Sequence, residues 1–482
     1  MKPCVLLMLC CASIVAATPA LAQEGEIPIT TKSTEALALF KQGRDLSERL
    51  RTLEAASYFE QASTKDPTFA IAYLYLANVQ TSPKGFFDNL RKAVALIDRV
   101  SEGERLTILS TQAFADNNVG KQKEYLEKLV QGYPNDKRAH LALGSFLYGQ
   151  QEYASAITEL KRATDLAPDF SGAYNLLGYA HSRADNFPEA EKAFKKYAEL
   201  IPNEANPHDS YAELLMKMGK FDESVKEYGK SLARNPKFYG SYLGLGMDLI
   251  LMGKHREASK LYKRLYDMAP DDGIRQQALF ATVIAYVDEG KFARAVAEQD
   301  RNFRISQKNN DLAAMVADLG TLGDILVEVG PIDQARARYE KAREIVSKSD
   351  VAPVVKEFAN QIRLSGLVRV ALRKKDVVAA RAALAEFKRV AEQSKNPALM
   401  HAYRQHAGMI ALEEKKYADA LGELQKSDQR SPRTLFLIGQ TYAAKGDKGK
   451  AKEYLTKAAT VNEMNIEFAF VREKARQLLA SM

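Results

Sequence analysis

The chain has 482 residues, of which 46% are hydrophobic and 27% are charged, with 27 glycines and 16 prolines. This composition excludes a disordered or collagen-like chain and leaves either several globular domains or one long repeat array. The formal charge of +8 is a small excess for this length. We interpret it as a solvated surface rather than as a site for a polyanion.

The first 22 residues have the features of a secretory signal peptide. Lys2 provides a positive start, the run Val5–Ala17 is apolar, and Ala20-Leu21-Ala22 places small residues where a signal peptidase cleaves. The sequence therefore predicts cleavage before Gln23 and export to the periplasm or beyond it. An uncleaved anchor is the alternative, and it is less favoured because the apolar run is short for a bilayer span.

All three cysteines, Cys4, Cys10 and Cys11, lie inside this leader. A lipoprotein needs a small residue just before the modified cysteine, whereas Cys10 follows Leu9 and Cys11 follows Cys10. Lipidation is therefore not expected, and the mature chain has no cysteine with which to form a disulfide. A long exported chain without disulfides fits a Gram-negative-like envelope better than a small secreted scaffold.

The middle of the chain repeats with a strict period. Prolines stand at positions 134, 168, 202, 236 and 270, so each interval is 34 residues. Each proline is expected to end a helix, because it lacks an N–H and its ring clashes with the preceding turn. Two helical apolar faces lie in every interval, and a constant period of this length indicates an α-solenoid.

Small residues recur where the two helices of each unit would cross. In the four strict units they are Gly144, Gly178, Ala212 and Gly246 in the first helix, and Ala156, Ala190, Ser224 and Ala258 in the second. One turn later in the second helix stand the bulky residues Leu160, Phe194, Tyr228 and Tyr262. Close crossing needs a small side chain beside a large one that fills the remaining space.

This pattern resembles the tetratricopeptide repeat (TPR) family, and the resemblance implies an all-α fold, a right-handed superhelical α-solenoid of helix-turn-helix repeats. The chain divides accordingly into a signal peptide (1–22), an N-terminal linker (23–35), TPR-like repeats of which two are degenerate (36–136), four regular TPR units (137–272), looser and longer TPR-like repeats (273–462) and a C-terminal capping helix (463–482). Wider spacing in the looser part predicts longer helices. A terminal helix with one polar face would close the apolar end of the array.

The sequence offers no motif for catalysis, a cofactor or a metal. Gly229-Lys230-Ser231 is similar to the end of a phosphate-binding loop, but Ser224 stands where the leading glycine is required. His401 and His406 are five residues apart, not the four that would put two ligands on one helical face. We therefore expect no enzymatic activity, no cofactor and no metal, and export disfavours nucleic acid as a partner.

The TPR resemblance also implies that the first helices line a concave groove in which a partner peptide lies. At the groove positions of the strict units the candidate partner-binding residues are Tyr148, Asn175, Tyr179, Arg183, Asp209, Glu213, Met216, Lys217, Leu243, Met247, Ile250 and Leu251. The carboxylate clamp of chaperone-binding TPRs is not reproduced, since Asp209 and Glu213 would repel a carboxylate.

The last four candidates form an apolar stripe on one helix, and the repeat motif does not need them. Leu243, Met247, Ile250 and Leu251 follow one another at helical spacing. Such a stripe suits an apolar partner peptide when it is exposed. The alternative is that the chain itself covers the stripe, through the next superhelical turn or its C-terminal half.

These observations predict a non-enzymatic protein–protein interaction scaffold of the bacterial cell envelope, without a transmembrane span in the mature chain. One alternative is a carrier of a small or polymeric envelope ligand; sugars would favour exposed aromatics and amides in the groove. Another is an enzyme whose polar cluster is hidden there. Basic helices in the looser half, such as the one carrying Arg336 and Lys341, are interpreted as solvated, with contact to an anionic envelope surface as the alternative.

Overall fold

The computed structural model of the protein describes residues 25–394, 396–463 and 465–482. The predicted signal peptide lies outside the described residues. Over the described ranges the chain forms 25 α-helices and no β-strand. None of these helices combines the length and the apolar character needed to cross a membrane.

The helices follow one another as antiparallel pairs. Before the strict block the pairs are α1 (Thr34–Glu48) with α2 (Thr52–Lys65), α3 (Ala70–Asn78) with α4 (Pro83–Ala95), and α5 (Glu102–Ala115) with α6 (Val119–Gly132). In the strict block they are α7 (Lys137–Gly149) with α8 (Tyr153–Leu166), α9 (Ser171–Arg183) with α10 (Phe187–Leu200), α11 (Asn206–Lys217) with α12 (Phe221–Arg234), and α13 (Tyr239–Leu251) with α14 (His255–Met268).

The looser half continues the same alternation. Its pairs are α15 (Asp272–Asp288) with α16 (Phe292–Lys308), α17 (Leu312–Val329) with α18 (Ile332–Ser347), α19 (Pro353–Arg373) with α20 (Val377–Ser394), α21 (Pro397–Glu413) with α22 (Tyr417–Leu424), and α23 (Pro432–Ala444) with α24 (Lys448–Ala459), before the terminal helix α25 (Ile466–Ala480). Helices α15 to α21 have 16 to 21 residues, against 12 to 14 in the strict block, which confirms the expectation of longer helices.

Local sequence explains how the helices begin and end. Asp136 caps α7 by accepting hydrogen bonds from the backbone N–H groups of Arg138 and Ala139. Gly219 and Gly253 follow α11 and α13 with φ angles of 75° and 77°. Only glycine adopts this left-handed backbone without steric cost, so both residues end their helices as the sequence predicts.

The small positions lie against the bulky ones. A Cβ atom added to Gly144 would lie 2.8 Å from Cγ of Leu160, and one added to Gly178 would lie 2.6 Å from Cε1 of Phe194. The pairing continues into the looser half, where a Cβ on Gly439 would lie 2.7 Å from Cγ of Leu455. The predicted reason for the small residues, close crossing of the two helices in a unit, is therefore confirmed.

The array curls so far that distant units meet. The backbone N–H of Lys84 donates to Asp311 Oδ2 at 3.3 Å, and the guanidinium of Arg51 lies 3.7 Å from the carboxylate of Glu204. Tyr153 accepts a hydrogen bond from Arg430, across 277 positions of sequence. These contacts enclose the concave side of the superhelix between its own turns.

Valine in place of Gly178 should destabilise the array by about 1–3 kcal/mol, because its side chain would overlap the ring of Phe194. The matched control is Lys195→Ala, whose ammonium is exposed and forms only a surface ion pair with Glu191; such pairs contribute about 0.2–1 kcal/mol. Thermal unfolding monitored by circular dichroism should show a clearly lower midpoint for Gly178→Val. Equal midpoints would contradict the packing of this pair.

Candidate functional site

The terminal helix α25 fills the middle of the concave groove. Phe468 and Phe470 pack in one apolar cluster with Met247, Ile250 and Leu251. Met247 and Ile250 are fully buried, and Leu251 is 6% exposed. Leu243, which is half-buried, packs against the same cluster. The same cluster contains Ala281, Val283 and Ile284 of α15. The apolar stripe is therefore covered by the chain itself, through α15 of the next unit together with α25, and the expectation of an exposed stripe requires correction.

Arg472 fixes α25 against the end of α13. Its guanidinium donates to the backbone carbonyls of Leu251 at 2.7 Å and Ile250 at 3.3 Å. These carbonyls belong to the last turn of α13, where that of Ile250 also accepts the backbone N–H of Gly253 at 2.9 Å. Arg472 also lies 3.5 Å from Asp288, which is 2.8 Å from Nε2 of His255. The hydrogen bond to Asp288 raises the pKa of His255.

The chain just before α25 binds the polar end of the predicted groove. Glu463 forms an ion pair with Arg183, whose Nε donates to the hydroxyl of Tyr148 at 3.4 Å. Asn462 Nδ2 lies 3.5 Å from the backbone carbonyl of Lys217. Of the remaining candidates, Met216 is buried in the apolar cluster. The C-terminal segment thus bonds to, or shares an apolar cluster with, most of the predicted binding residues of α9, α11 and α13.

The other predicted residues form a buried polar network between these three helices. Ser210 Oγ donates to Asn175 Oδ1 at 2.8 Å, and the Tyr179 hydroxyl donates to Ser210 at 3.2 Å. Ser241 Oγ donates to Asp209 Oδ1 at 2.6 Å. Burial raises the pKa of Asp209 to about 8 and also raises the pKa of Glu213. The raised pKa of Asp209 favours its protonated form, since burial and the neighbouring Glu213 carboxylate both disfavour a negative charge there.

A cavity of about 670 Å³ remains open on the concave side of the N-terminal half. It is lined by the first helices α1, α3, α5, α7 and α9, by the second helix α6, and by residues of the segment that precedes α1. Its apolar surface comes from side chains such as Ile71, Leu74 and Leu141, and its polar surface from residues such as Ser145 and Asn175. We call this space the N-terminal cavity. Of the twelve candidate site residues only Asn175 lines it.

The contributions of α1, α3 and α5 to this cavity were missed by sequence reasoning. Phe40 and Arg44 enter from α1, and Tyr75 and Asn78 enter from α3. Position within the repeat could have found them, because these helices occupy the same place in their units as α7 and α9. The degenerate repeats hid that register. Arg138 and Leu141, at groove positions of the first strict unit, do line the cavity.

A segment without regular secondary structure, residues 26–30, follows the rim of the N-terminal cavity. The backbone N–H of Ile27 donates to Asp136 Oδ2 at 2.7 Å, and that of Thr30 donates to Glu104 Oε1 at 2.9 Å. The carbonyl of Pro28 accepts from Ser101 Oγ at 2.7 Å. The region predicted as a linker is therefore bound, and it shows that this surface holds a peptide main chain by side-chain hydrogen bonds.

One cation in the cavity has no carboxylate partner within the described part of the chain. Arg138 pairs with Glu48 at 2.8 Å and lies 3.6 Å from Glu26. Arg44, in contrast, lies over the ring of Phe40, at 5.7 Å from its centroid, and among the described residues no carboxylate oxygen is within 4.0 Å of it. The cavity thus offers apolar pockets, a row of hydroxyl and amide groups, and one unpaired guanidinium.

Comparison with known proteins agrees with the repeat assignment. Models of the tetratricopeptide repeat match residues 123–169, 141–205, 212–272 and 432–463. The described residues are all-helical, and the tetratricopeptide repeat assignment is supported over these matched ranges. Those matches cover the strict block and the last helix pair, where the sequence keeps its period.

Similar proteins match over part of their length. Tetratricopeptide repeat-containing protein trd-1 of Caenorhabditis elegans is 24% identical over 31% of this chain and 20% of its own length. Anaphase-promoting complex subunit CDC16 of Saccharomyces cerevisiae is 25% identical over 39% of this chain and 23% of its own. A crystal structure of MamA protein matches 34% of this chain and 89% of its own at 21% identity, with a TM-score of 0.29. The chain therefore spans about a fifth to a quarter of these two curated relatives.

The buried acids make the stability of the groove wall depend on pH. Asp248 of α13 is fully buried, and burial raises its pKa to about 7, against about 3.9 in an unfolded chain. Because the folded state binds the proton more tightly, this group favours folding at low pH. That contribution is lost as the pH rises through about 7.

Asp248→Asn cannot ionise and should reduce the fall in melting temperature between about pH 4 and pH 7, the interval between the unfolded and folded pKa values. The lost pH dependence should correspond to on the order of 4 kcal/mol, since each unit of pKa difference is worth about 1.36 kcal/mol. Asp222→Asn, on the exposed surface of α12, is the matched control, and its melting temperature should change with pH as that of the unchanged chain does. If the melting temperatures of all three proteins change equally with pH, the buried, protonated state of Asp248 is contradicted.

Proposed function

We propose that this protein is a non-enzymatic interaction scaffold of the bacterial cell envelope and that it binds an extended peptide segment of a partner protein in the N-terminal cavity. The observation that carries the proposal is the combination of an open, largely preformed cavity with a peptide segment already bound at its rim. Repeats of this kind mediate protein–protein interaction. The partner and the location belong to the proposal.

The chemistry of the cavity supports an extended peptide. Side chains of five first helices form much of the lining of the N-terminal cavity. The cavity has a volume of about 670 Å³, which is within the range of ligand sites. Apolar side chains such as Leu74 and Leu141 offer pockets for alternate side chains of an extended strand. Hydroxyl and amide groups, among them Ser145 and Asn78, offer hydrogen bonds to its main chain.

The segment 26–30 provides an internal precedent. It is held mainly through its backbone, by Asp136, Glu104 and Ser101, so the same surface accepts main chain of varied sequence. Ile27 and Ile29 also line the cavity. A partner strand that continues beside this segment would meet the uncovered hydroxyl and apolar groups of α1, α3 and α7.

The envelope assignment is supported by the leader-like sequence of residues 1–22 and by the absence of cysteine after Cys11. The partial similarity to a subunit of a multiprotein complex is consistent with a role in assembly. No catalytic role is proposed.

Photocrosslinking in intact cells tests the proposal. A benzophenone amino acid at Ser145 or Asn78, both exposed in the cavity, should capture the same single envelope protein. The same probe at Ser155, exposed on α8 of the same repeat and outside the cavity, should not capture it.

A blocking variant sharpens the result. Ser145→Trp fills the cavity and should reduce capture at Asn78 by about 10-fold or more, the change expected for losing an anchored contact. Ser155→Trp should leave that capture unchanged, and both variants should melt like the unchanged chain. Strong capture at Ser155, or capture at Asn78 that survives Ser145→Trp, would contradict the proposed site.

A further inference from the structure

A second cavity, of about 330 Å³, lies on the concave side of the C-terminal half. It is lined by side chains of α17, α19, α21, α23 and α25. Helix α25 contributes Glu467 to its wall. We call this space the C-terminal cavity. It shares no lining residue with the N-terminal cavity.

Charge in the C-terminal cavity is balanced within its own wall. Arg369 forms an ion pair with Asp324, and both bond to the hydroxyl of Tyr339. Arg433 lies 3.4 Å from Glu467 and 3.3 Å from Glu328. Each guanidinium thus has a carboxylate partner, so the wall has no excess charge with which to select a charged ligand.

The remaining titratable group that faces the cavity is also uncharged. Burial, together with the nearby guanidiniums of Arg369 and Arg433, lowers the pKa of His406 to about 3. The imidazole is therefore neutral at physiological pH. A ligand that enters meets neutral or internally paired groups on every side.

The polar groups of the wall are of mixed type. Asp324 accepts hydrogen bonds, Arg369 donates them, and the Gln361 and Gln405 amides do both. Thr321 adds a hydroxyl. A ligand whose every polar atom both donates and accepts fits such a wall best, and hydroxyl groups have this property.

The apolar part of the wall consists of small residues, the side chain of Ile362 and the ring of Phe358. Ala317, Gly320 and Ala402 present little surface for a peptide side chain. Phe358, in contrast, is 42% exposed at the cavity. An exposed ring beside planar polar groups offers a flat apolar platform with hydrogen-bonding groups along its edge.

We propose that the C-terminal cavity binds a neutral carbohydrate, with one sugar ring stacked on Phe358 and its hydroxyl groups bonded to Asp324, Arg369 and Gln361. A pyranose has an apolar C–H face and an edge of hydroxyls, which are the two surfaces that this wall complements. The C-terminal cavity is separate from the N-terminal cavity, so the carbohydrate proposal and the peptide proposal can be tested independently.

The test uses the full mature chain and three neutral trisaccharides, namely maltotriose, cellotriose and chitotriose. Saturation-transfer NMR should detect binding of at least one of them, and calorimetry should give its affinity. Trigalacturonate and trialanine should bind at least about 10-fold more weakly than that sugar. The wall has no excess charge to attract the first and little apolar surface for the side chains of the second.

Phe358→Ala should weaken binding of the bound sugar by about 10-fold, since it removes the stacking platform. Phe114→Ala is the matched control: Phe114 is the other exposed phenylalanine among the described residues, at 48%, and it lies outside this cavity. The proposal would be overturned by any of four results. Two concern the variants: Phe358→Ala binds the sugar with unchanged affinity, or Phe114→Ala loses as much affinity as Phe358→Ala. Two concern the ligands: the protein prefers trigalacturonate or trialanine, or it binds no neutral sugar at about 10 mM.

Discussion

The buried contact between Arg472 and the end of α13 is the constraint on which the arrangement of the concave side depends. The guanidinium is 7% exposed, and the Asp288 carboxylate, at the end of α15, is 6% exposed. Removing Arg472 would leave Asp288 with His255 as its remaining partner, and this removal is unfavourable because a buried charge loses part of its compensation. The same guanidinium donates to two carbonyls at the end of α13. Helix α25 is therefore held at one place on the groove.

This docking divides the concave face into parts with different chemistry. The middle is filled by the chain itself, through Phe468 and Phe470 on the apolar stripe. On one side remains the N-terminal cavity, with apolar pockets and hydroxyl groups. On the other lies the C-terminal cavity, to which α25 contributes Glu467. One terminal helix thus covers the apolar end of the array, closes the groove and completes a polar wall.

Local features could be predicted from the sequence, whereas long-range docking could not. The 34-residue period, the small residues such as Gly178 and the terminating Gly219 follow from neighbours within one or two units, and the structure confirms them. Leu243 and Met247 are apolar residues that the sequence analysis places outside the repeat motif, and in the structure they pack in or against one apolar cluster with Phe468 and Phe470. Helix α25, which docks beside them, lies more than 200 positions away in sequence. No periodic signal in the sequence predicts that its Arg472 bonds to the end of α13. The cavity was missed because it is built largely from degenerate repeats.

The most direct test of this account is to crosslink the C-terminal segment to the groove. The mature chain predicted from the sequence has no cysteine, so Arg183→Cys with Glu463→Cys replaces one ion pair by two unique thiols. A short bismaleimide should join them rapidly within one molecule at low protein concentration. Ser481→Cys paired with Arg183→Cys is the control, since α25, with 15 residues, is about 22 Å long. Rapid linkage of the first pair alone is predicted; absent linkage, or equal linkage of both pairs, would contradict a groove filled by α25.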